Sequence, residues 1–320
     1  MRLGRYRRQS GSAAVGVAIE QDGQEWLLDV PVAAAAMIPS LLPAVLTMDR
    51  IVRGGEEVLE QIGRLTYDAK RGGEFGWLTK LSEADWLLPL DKPGNVICSA
   101  KNFMQHEAES RAGWAKRSVA VDPISFPTAF VKTRGVLVPS GAEVRKPPYV
   151  LELDYEAEIG AVIGRPCADV TRASALDYVF GYTLFNDLSA REWQRAERKG
   201  LNLLVGKNFP GSGPIGPLIV TREEVGNPSD LPLSLVVNGQ ERQAATCADM
   251  QFDFSSLISH WSALGLSAGD VITSGTPSGV ACWHEPDPAE WYLSPGDEVI
   301  VQSAPIGALS IQVVEGSSDK

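Results

Sequence analysis

The sequence predicts an α+β protein rich in strands, a mixed β-roll or sandwich with a small α+β segment at its N-terminus. Three observations carry this. From Val96 onward the chain is a series of short apolar runs (NVICSA, PTAFVK, GPLIVT, LSLVVNG, DVITSG, DEVIVQS, ALSIQVV) separated by glycine and proline turns. Helical spacing is confined to a few stretches, chiefly Glu56–Lys70 and Phe254–Leu264. So many strands with so few helices between them do not fit a doubly wound sheet.

Taken in order, residues 13–30 read as two strands about Asp22-Gly23, a hairpin turn pair. Val30 to Met48 is uncharged, but Pro31, Pro39 and Pro43 and its weakly apolar alanines fit a soluble helix and loops better than a membrane span. Glu56–Lys70 places Val58, Leu59, Ile62 and Leu65 on one side of a helix. The stretch DWLLPLDKPGN (Asp85–Asn95) holds two prolines and a glycine, and a boundary there divides the chain into a small α+β domain, 1–92, and a catalytic domain, 93–320. Asn238-Gly239 marks a second hairpin.

Composition narrows the function. With 44% hydrophobic and 22% charged residues over 320 positions the chain is an ordinary globular protein. A net charge of −11 argues against non-specific binding to nucleic acid or an anionic membrane. Cys98, Cys167, Cys247 and Cys282 are scattered without a C-x-x-C pair, which argues against zinc and disulfides and for a reducing compartment. No apolar run follows Arg2, Arg5, Arg7 and Arg8 as a signal peptide requires, so a cytoplasmic location is expected. Gly211-Ser-Gly-Pro-Ile-Gly216 has dinucleotide-loop spacing, but prolines interrupt it and a strand follows.

The chemistry concentrates between Leu151 and Gln194. Read as one strand, LELDYEAEIGAVI puts Leu151, Leu153, Tyr155, Ala157, Ile159, Ala161 and Ile163 on one face and Glu152, Asp154, Glu156 and Glu158 on the other. Like charges so crowded need water or a cation between them. A second apolar strand, Tyr178–Phe185, delivers Asp187 at its end, and Ser189 with Glu192 has capping-box spacing for a helix start. Glu156, Glu158 and Asp187 are therefore candidate ligands for a hard cation, Mg²⁺ or Mn²⁺, with Ca²⁺ as a further option. His106 and Glu109, i and i+3 on a helix after NVICSA, can pair as an oriented base, with Glu107 a rival partner. Lys207 lies in a glycine-bounded turn, and Gly275-Thr276-Pro-Ser-Gly279 can present backbone N–H groups and a hydroxyl to a carboxylate.

Together these residues resemble the fumarylacetoacetate hydrolase family. The matching blocks are N-x-x-x-H-x-x-E at Asn102–Glu109, D-Y-E-x-E at Asp154–Glu158, G-Y-T-x-x-N-D-x-S-A-R at Gly181–Arg191, G-K-N-F at Gly206–Phe209 and G-D-V-I-x-x-G-T-P-x-G-V at Gly269–Val280. The resemblance implies a β-sandwich roll, usually a homodimer, with Glu156, Glu158 and Asp187 holding Mg²⁺ or Mn²⁺ and His106 with Glu109 activating water. It further implies substrate contacts by Arg191, Gln194, Lys207 and Thr276. The expected reaction is hydrolysis of a C–C bond in an acylpyruvate-like 2-oxo acid, with Lys207 helping to stabilise the departing enolate. Isomerisation, decarboxylation and sugar-acid dehydration are alternatives on the same site, and a non-catalytic 2-oxo-acid binder is a more distant one. Phe103, Glu192 and Cys247 depart from the family pattern, and the stretch Ala281–Leu293 is longer than expected, placed to line or cover the pocket.

Overall fold

A computed structural model describes residues 1–72, 76–119, 123–200 and 202–316. Its centre is a twelve-stranded mixed sheet. Along the main path the order is Leu78–Lys80, Gln24–Asp29, Ala13–Gln21, Arg2–Arg7, Gly213–Thr221, Val179–Asn186, Ala157–Ile163, Val271–Thr273, Val96–Ser99 and Ala129–Lys132. A five-stranded sheet, Gln240–Thr246, Pro232–Val237, Glu298–Ser303, Gly307–Glu315 and Ala142–Lys146, stacks on one face. Ile159, Ala161, Tyr182 and Leu184 meet Leu235, Val301 and Ile311 between the two sheets. The opposite face carries Val162, Phe180 and Ile219 against Ile51, Val52, Ile62 and Leu65 of the helix Met48–Gly72. Strands covered on both faces are mostly apolar, with Glu158 an exception that belongs to the site, and Ala157–Ile163, Val179–Asn186 and Gly213–Thr221 are buried along their whole length.

The hairpins at Asp22-Gly23 and Asn238-Gly239 form where the turn signals place them. The helix expected over Glu56–Lys70 is the second limb of Met48–Gly72, bent at Gly55, whose φ of 57° only glycine adopts freely. Val30–Met48 is broken into short helices at its prolines, and among the described residues no helix is long and apolar enough to cross a membrane.

The N-terminal segment joins the central sheet. Arg2, Leu3 and Gly4 pair with Val220, Ile219 and Leu218, so hydrogen bonding runs through the expected 92/93 boundary. A chain cut to begin at residue 93 would leave the strand Gly213–Thr221 with an open edge and uncover the apolar face under Met48–Gly72. Such a fragment is expected to aggregate and to lose its cooperative thermal transition. A soluble fragment melting cooperatively at the full-length temperature would contradict the packing described.

Two local expectations are corrected. Leu151–Ile163 is not one strand. Leu153–Asp154 pairs with Ser189–Ala190, the chain breaks at Tyr155–Glu156, and Ala157–Ile163 enters the central sheet. The break separates the acids, and Leu151 lies exposed rather than in the core. The capping box at Ser189 is also absent. The helix begins at Arg191, the Ser189 hydroxyl donates to the Asp187 carbonyl, and Glu192 accepts from the backbone N–H groups of Leu151 and Glu152. Pairing of Ser189–Ala190 with Leu153–Asp154 holds those residues extended and delays the helix.

Candidate active site

The register of the two central strands builds the site. Ala157 pairs with Asn186 and Glu158 with Phe185, and the Asp187 N–H donates to the Glu156 carbonyl at 2.8 Å. Glu156, Glu158 and Asp187 thereby offer one oxygen each, all within 4.8 Å of one another, and all three residues are buried. The other acids of the expected face lie elsewhere. Asp154 accepts from Arg191 at 2.7 Å and from the N–H groups of Ala281 and Cys282. Glu152 binds Arg195 and the Tyr292 hydroxyl.

Three buried cations surround the acid cluster. Lys207 Nζ lies 2.8 Å from Glu156 and 2.6 Å from Asp187, and also donates to Ser189 Oγ. Arg191 meets Glu156 at 2.6 Å and donates to Gln194 Oε1 at 2.8 Å. Lys132 meets Asp187 at 2.8 Å and donates to the carbonyls of Leu188 and Ser212. Sequence reasoning missed Lys132. Its signal was its position two residues after Phe130, on the inward face of Ala129–Lys132. Gln243 was missed too. It accepts from the Ala157 N–H and donates to Thr276 Oγ1 at 2.9 Å, which fixes the threonine hydroxyl.

Burial works to raise the Glu156 carboxyl, but Lys207 and Arg191 outweigh it and hold the group below the usual carboxylate range. Glu158 moves the other way. Burial pushes it well up, and Asp187 and Glu156 add to the rise. Burial tends to lower Lys207, but Asp187 and Glu156 raise it above its ordinary value, so it stays charged. Burial also raises Asp187, against the pull of Lys132 and Lys207.

Among the described residues Glu158 Oε2 is buried and accepts no hydrogen bond. An orphaned carboxylate oxygen beside two further carboxylates, with no sulfur or imidazole in the set, is a donor group suited to a hard divalent cation. The charge balance agrees. Asp154, Glu156, Glu158 and Asp187 face Lys132, Lys207 and Arg191, so a proton on Glu158 balances the site. A divalent ion with Glu158 ionised would leave one positive charge, which an anionic ligand would cancel.

A histidine lines the same cavity as Glu156. Asn102 donates to the carbonyls of Phe252 and Ser274 and anchors the start of the helix Met104–Lys116, which carries His106 and Glu109. His106 Nδ1 lies 3.1 Å from Glu109 Oε2, and Glu109 Oε1 accepts from the Gly279 N–H at 3.1 Å. Glu109 engages only Nδ1, and Nε2 makes no hydrogen bond among the described residues. Glu107, the rival partner, turns toward Arg111. His106, Glu156, Arg191, Gln194, Lys207 and Thr276 line one cavity of about 780 Å³. Of the long stretch Ala281–Leu293, Cys282 and Trp283 reach this cavity, while Asp287, Pro288, Ala289 and Tyr292 border a neighbouring one.

A family model for the fumarylacetoacetate (FAA) hydrolase C-terminal region matches residues 95–314. The chain belongs to the fumarylacetoacetate hydrolase family. It is 32% identical over 279 residues to oxaloacetate tautomerase YisK of Bacillus subtilis, covering 86% of each chain. Its fold matches that of 5-carboxymethyl-2-hydroxymuconate delta-isomerase from Mycobacterium smegmatis with a TM-score of 0.69 at 27% identity, over 98% of this chain and 100% of that one. Maleylpyruvate hydrolase from Sphingobium sp. SYK-6, solved with manganese(II) and pyruvate, shares the fold at 24% identity, with a TM-score of 0.73 over 99% of this chain and 100% of that one. The family comprises enzymes that act on small acids, and this chain is an enzyme of the same kind with the strand-rich α+β fold expected.

Proposed function

We propose that the enzyme interconverts the enol and keto forms of a 2-oxo acid held at Glu156, Glu158 and Asp187 through Mg²⁺ or Mn²⁺. The observation that carries this reading is an imidazole oriented by an acid, His106 with Glu109, in the same cavity as Glu156, the cavity-lining edge of a buried cluster of three carboxylates. A divalent cation there would supply the electrophile that polarises the 2-oxo carbonyl and favours its enol.

The chain's own groups do the rest. His106 Nε2 takes a proton from the carbon beside the carbonyl, or from the enol hydroxyl, and returns it to the other position. Glu109 holds the ring and offsets its transient positive charge. Lys207, fixed by Glu156, Asp187 and Ser189, remains a cation that favours charge developing on the 2-oxo oxygen. One relative named a tautomerase and one named an isomerase support this reading, while a fumarylacetoacetate hydrolase from Exiguobacterium antarcticum at 27% identity supports the hydrolysis expected from sequence.

Hydrolysis of a C–C bond is the second reading, favoured by the size of the cavity. It leaves room for a second carbonyl and for a water that His106 could deprotonate. A product-resolved assay separates the two. Oxaloacetate, a hydroxymuconate, an acylpyruvate and a 2-keto-3-deoxy acid are each incubated with Mn²⁺ and followed by ultraviolet absorbance and mass. An isomer of unchanged mass is expected. Two smaller acids would replace this reading with hydrolysis, and release of CO₂ with decarboxylation.

A further inference from the structure

The turn Gly275–Gly279, expected to offer backbone N–H groups to a carboxylate, meets one that belongs to the chain itself. The Gly279 N–H donates to Glu109 Oε1 at 3.1 Å, while Glu109 Oε2 lies 3.1 Å from His106 Nδ1. Among the described residues no lysine or arginine pairs with Glu109, so this peptide N–H is the other group that fixes its carboxylate. Where the His106 ring is held therefore depends on where Gly279 sits.

Gly279 has little freedom. Its φ of 99° belongs to the left-handed region that glycine alone enters readily, and a Cβ there would strike the Arg242 carbonyl. Tyr155, fully buried, donates its hydroxyl to the Gly279 carbonyl at 3.2 Å. Asp154 accepts from the N–H groups of Ala281 at 2.8 Å and Cys282 at 3.0 Å. Gln243 holds the other end of the turn, donating to Thr276 Oγ1 and to the Pro277 carbonyl, each at 2.9 Å.

Two consecutive residues, Asp154 and Tyr155, thus grip the backbone from Gly279 to Cys282, and the residue that follows them is Glu156. The strand break at Tyr155–Glu156 divides the labour. Glu156 meets Lys207 and Arg191 in the acid cluster, while Tyr155 reaches the turn that holds Glu109. Burial of a phenol does not by itself produce such a bond. The Tyr182 hydroxyl is also buried and has no partner among the described residues.

We infer that Tyr155 is a positioning residue, whose hydroxyl fixes the Gly279 turn and so keeps Glu109 against His106. One dipeptide, Tyr155–Glu156, then sets both the acid cluster and the orientation of the imidazole. The consequence for turnover rests on the proposed role of His106, but the consequence for the contact between His106 and Glu109 does not.

Tyr155→Phe keeps the ring and removes only the hydroxyl. Tyr182→Phe is the control, removing a buried hydroxyl that holds nothing. With Mn²⁺ and the best substrate of the product-resolved assay, Y155F is expected to lower kcat about tenfold with KM within about twofold, and Y182F to change neither. In a Glu109→Ala background the further loss from Y155F should be less than about twofold, because the carboxylate through which it acts is gone. Proton NMR gives a second readout that needs no turnover. The proton between His106 Nδ1 and Glu109 is expected as a downfield resonance that H106N lacks, and in Y155F it should exchange with water about tenfold faster. Wild-type kcat in Y155F, or an equal loss in both backgrounds, would show that the hydroxyl does not act through Glu109. A resonance missing from the wild type, or unchanged in Y155F, would overturn the positioning role outright. Faster exchange in Y155F, in a protein that turns over no 2-oxo acid, would instead remove the isomerase reading and leave the positioning role standing.

Discussion

Replacing His106 by asparagine is expected to lower turnover about a thousandfold while leaving Mn²⁺ affinity within about threefold of wild type. The imidazole lies on the cavity wall with Glu109 occupying only Nδ1, which leaves its other ring nitrogen open for proton exchange. Lys207 and Arg191 are held as cations by the acids they touch and cannot accept one. Asparagine fills much of the same space and can still meet Glu109, so folding should be little affected. Activity within tenfold of wild type, in a variant that binds Mn²⁺ normally, would remove His106 from the chemistry and with it the single-base scheme.

Glu158→Gln should separate stability from ion binding. In the metal-free chain Glu158 is a buried carboxyl with an unsatisfied oxygen, raised by burial and by its two acidic neighbours. A folded-state pKa above the unfolded value favours the native state fully below the ordinary carboxylate pKa, and that contribution is lost as pH rises through the folded value. An ion needs the ionised form, so its binding should release about one proton and tighten as pH rises over the same interval.

Glutamine abolishes this titration. The variant without metal is expected to be more stable at neutral pH by about 1–3 kcal/mol, because glutamine is spared the proton uptake that burying the Glu158 carboxyl demands. It should also lose the melting-temperature gain that Mn²⁺ gives the wild type. Melting curves with and without Mn²⁺, and calorimetry in buffers of different ionisation heat, measure both effects. A variant that keeps the Mn²⁺ gain, or a wild type that takes up the ion without releasing a proton, would sink the assignment of Glu158.

Much of this site was legible in the sequence because its key residues obey short-range rules. Glu156 and Glu158 sit two apart, Asp187 closes an apolar strand, and His106 and Glu109 are one helical turn apart. The alternation rule also misled. It grouped Glu152 and Asp154 with the other two acids, because nothing local announces that Leu153–Asp154 leaves the central sheet to pair with Ser189–Ala190. Lys132 illustrates the same limit. A lysine ending PTAFVK reads as a solvated strand end, and its burial depends on carbonyls at Leu188 and Ser212, far along the chain. Arg117 and Arg198 on the cavity wall went unread for a related reason. They look like ordinary helix-end charges until two helices distant in sequence are set side by side.

The two helices that line the cavity, Met104–Lys116 and Arg191–Arg198, have a consequence for how the enzyme could diversify. The turns nearest the sheet are tied down by backbone pairing and ion pairs, so exchanges there would disturb folding and reactivity at once. At the last turns Arg117 and Arg198 form no ion pair among the described residues. Natural variation could rewrite those positions and redirect the protein toward differently ended molecules, with the reacting centre handed down unaltered.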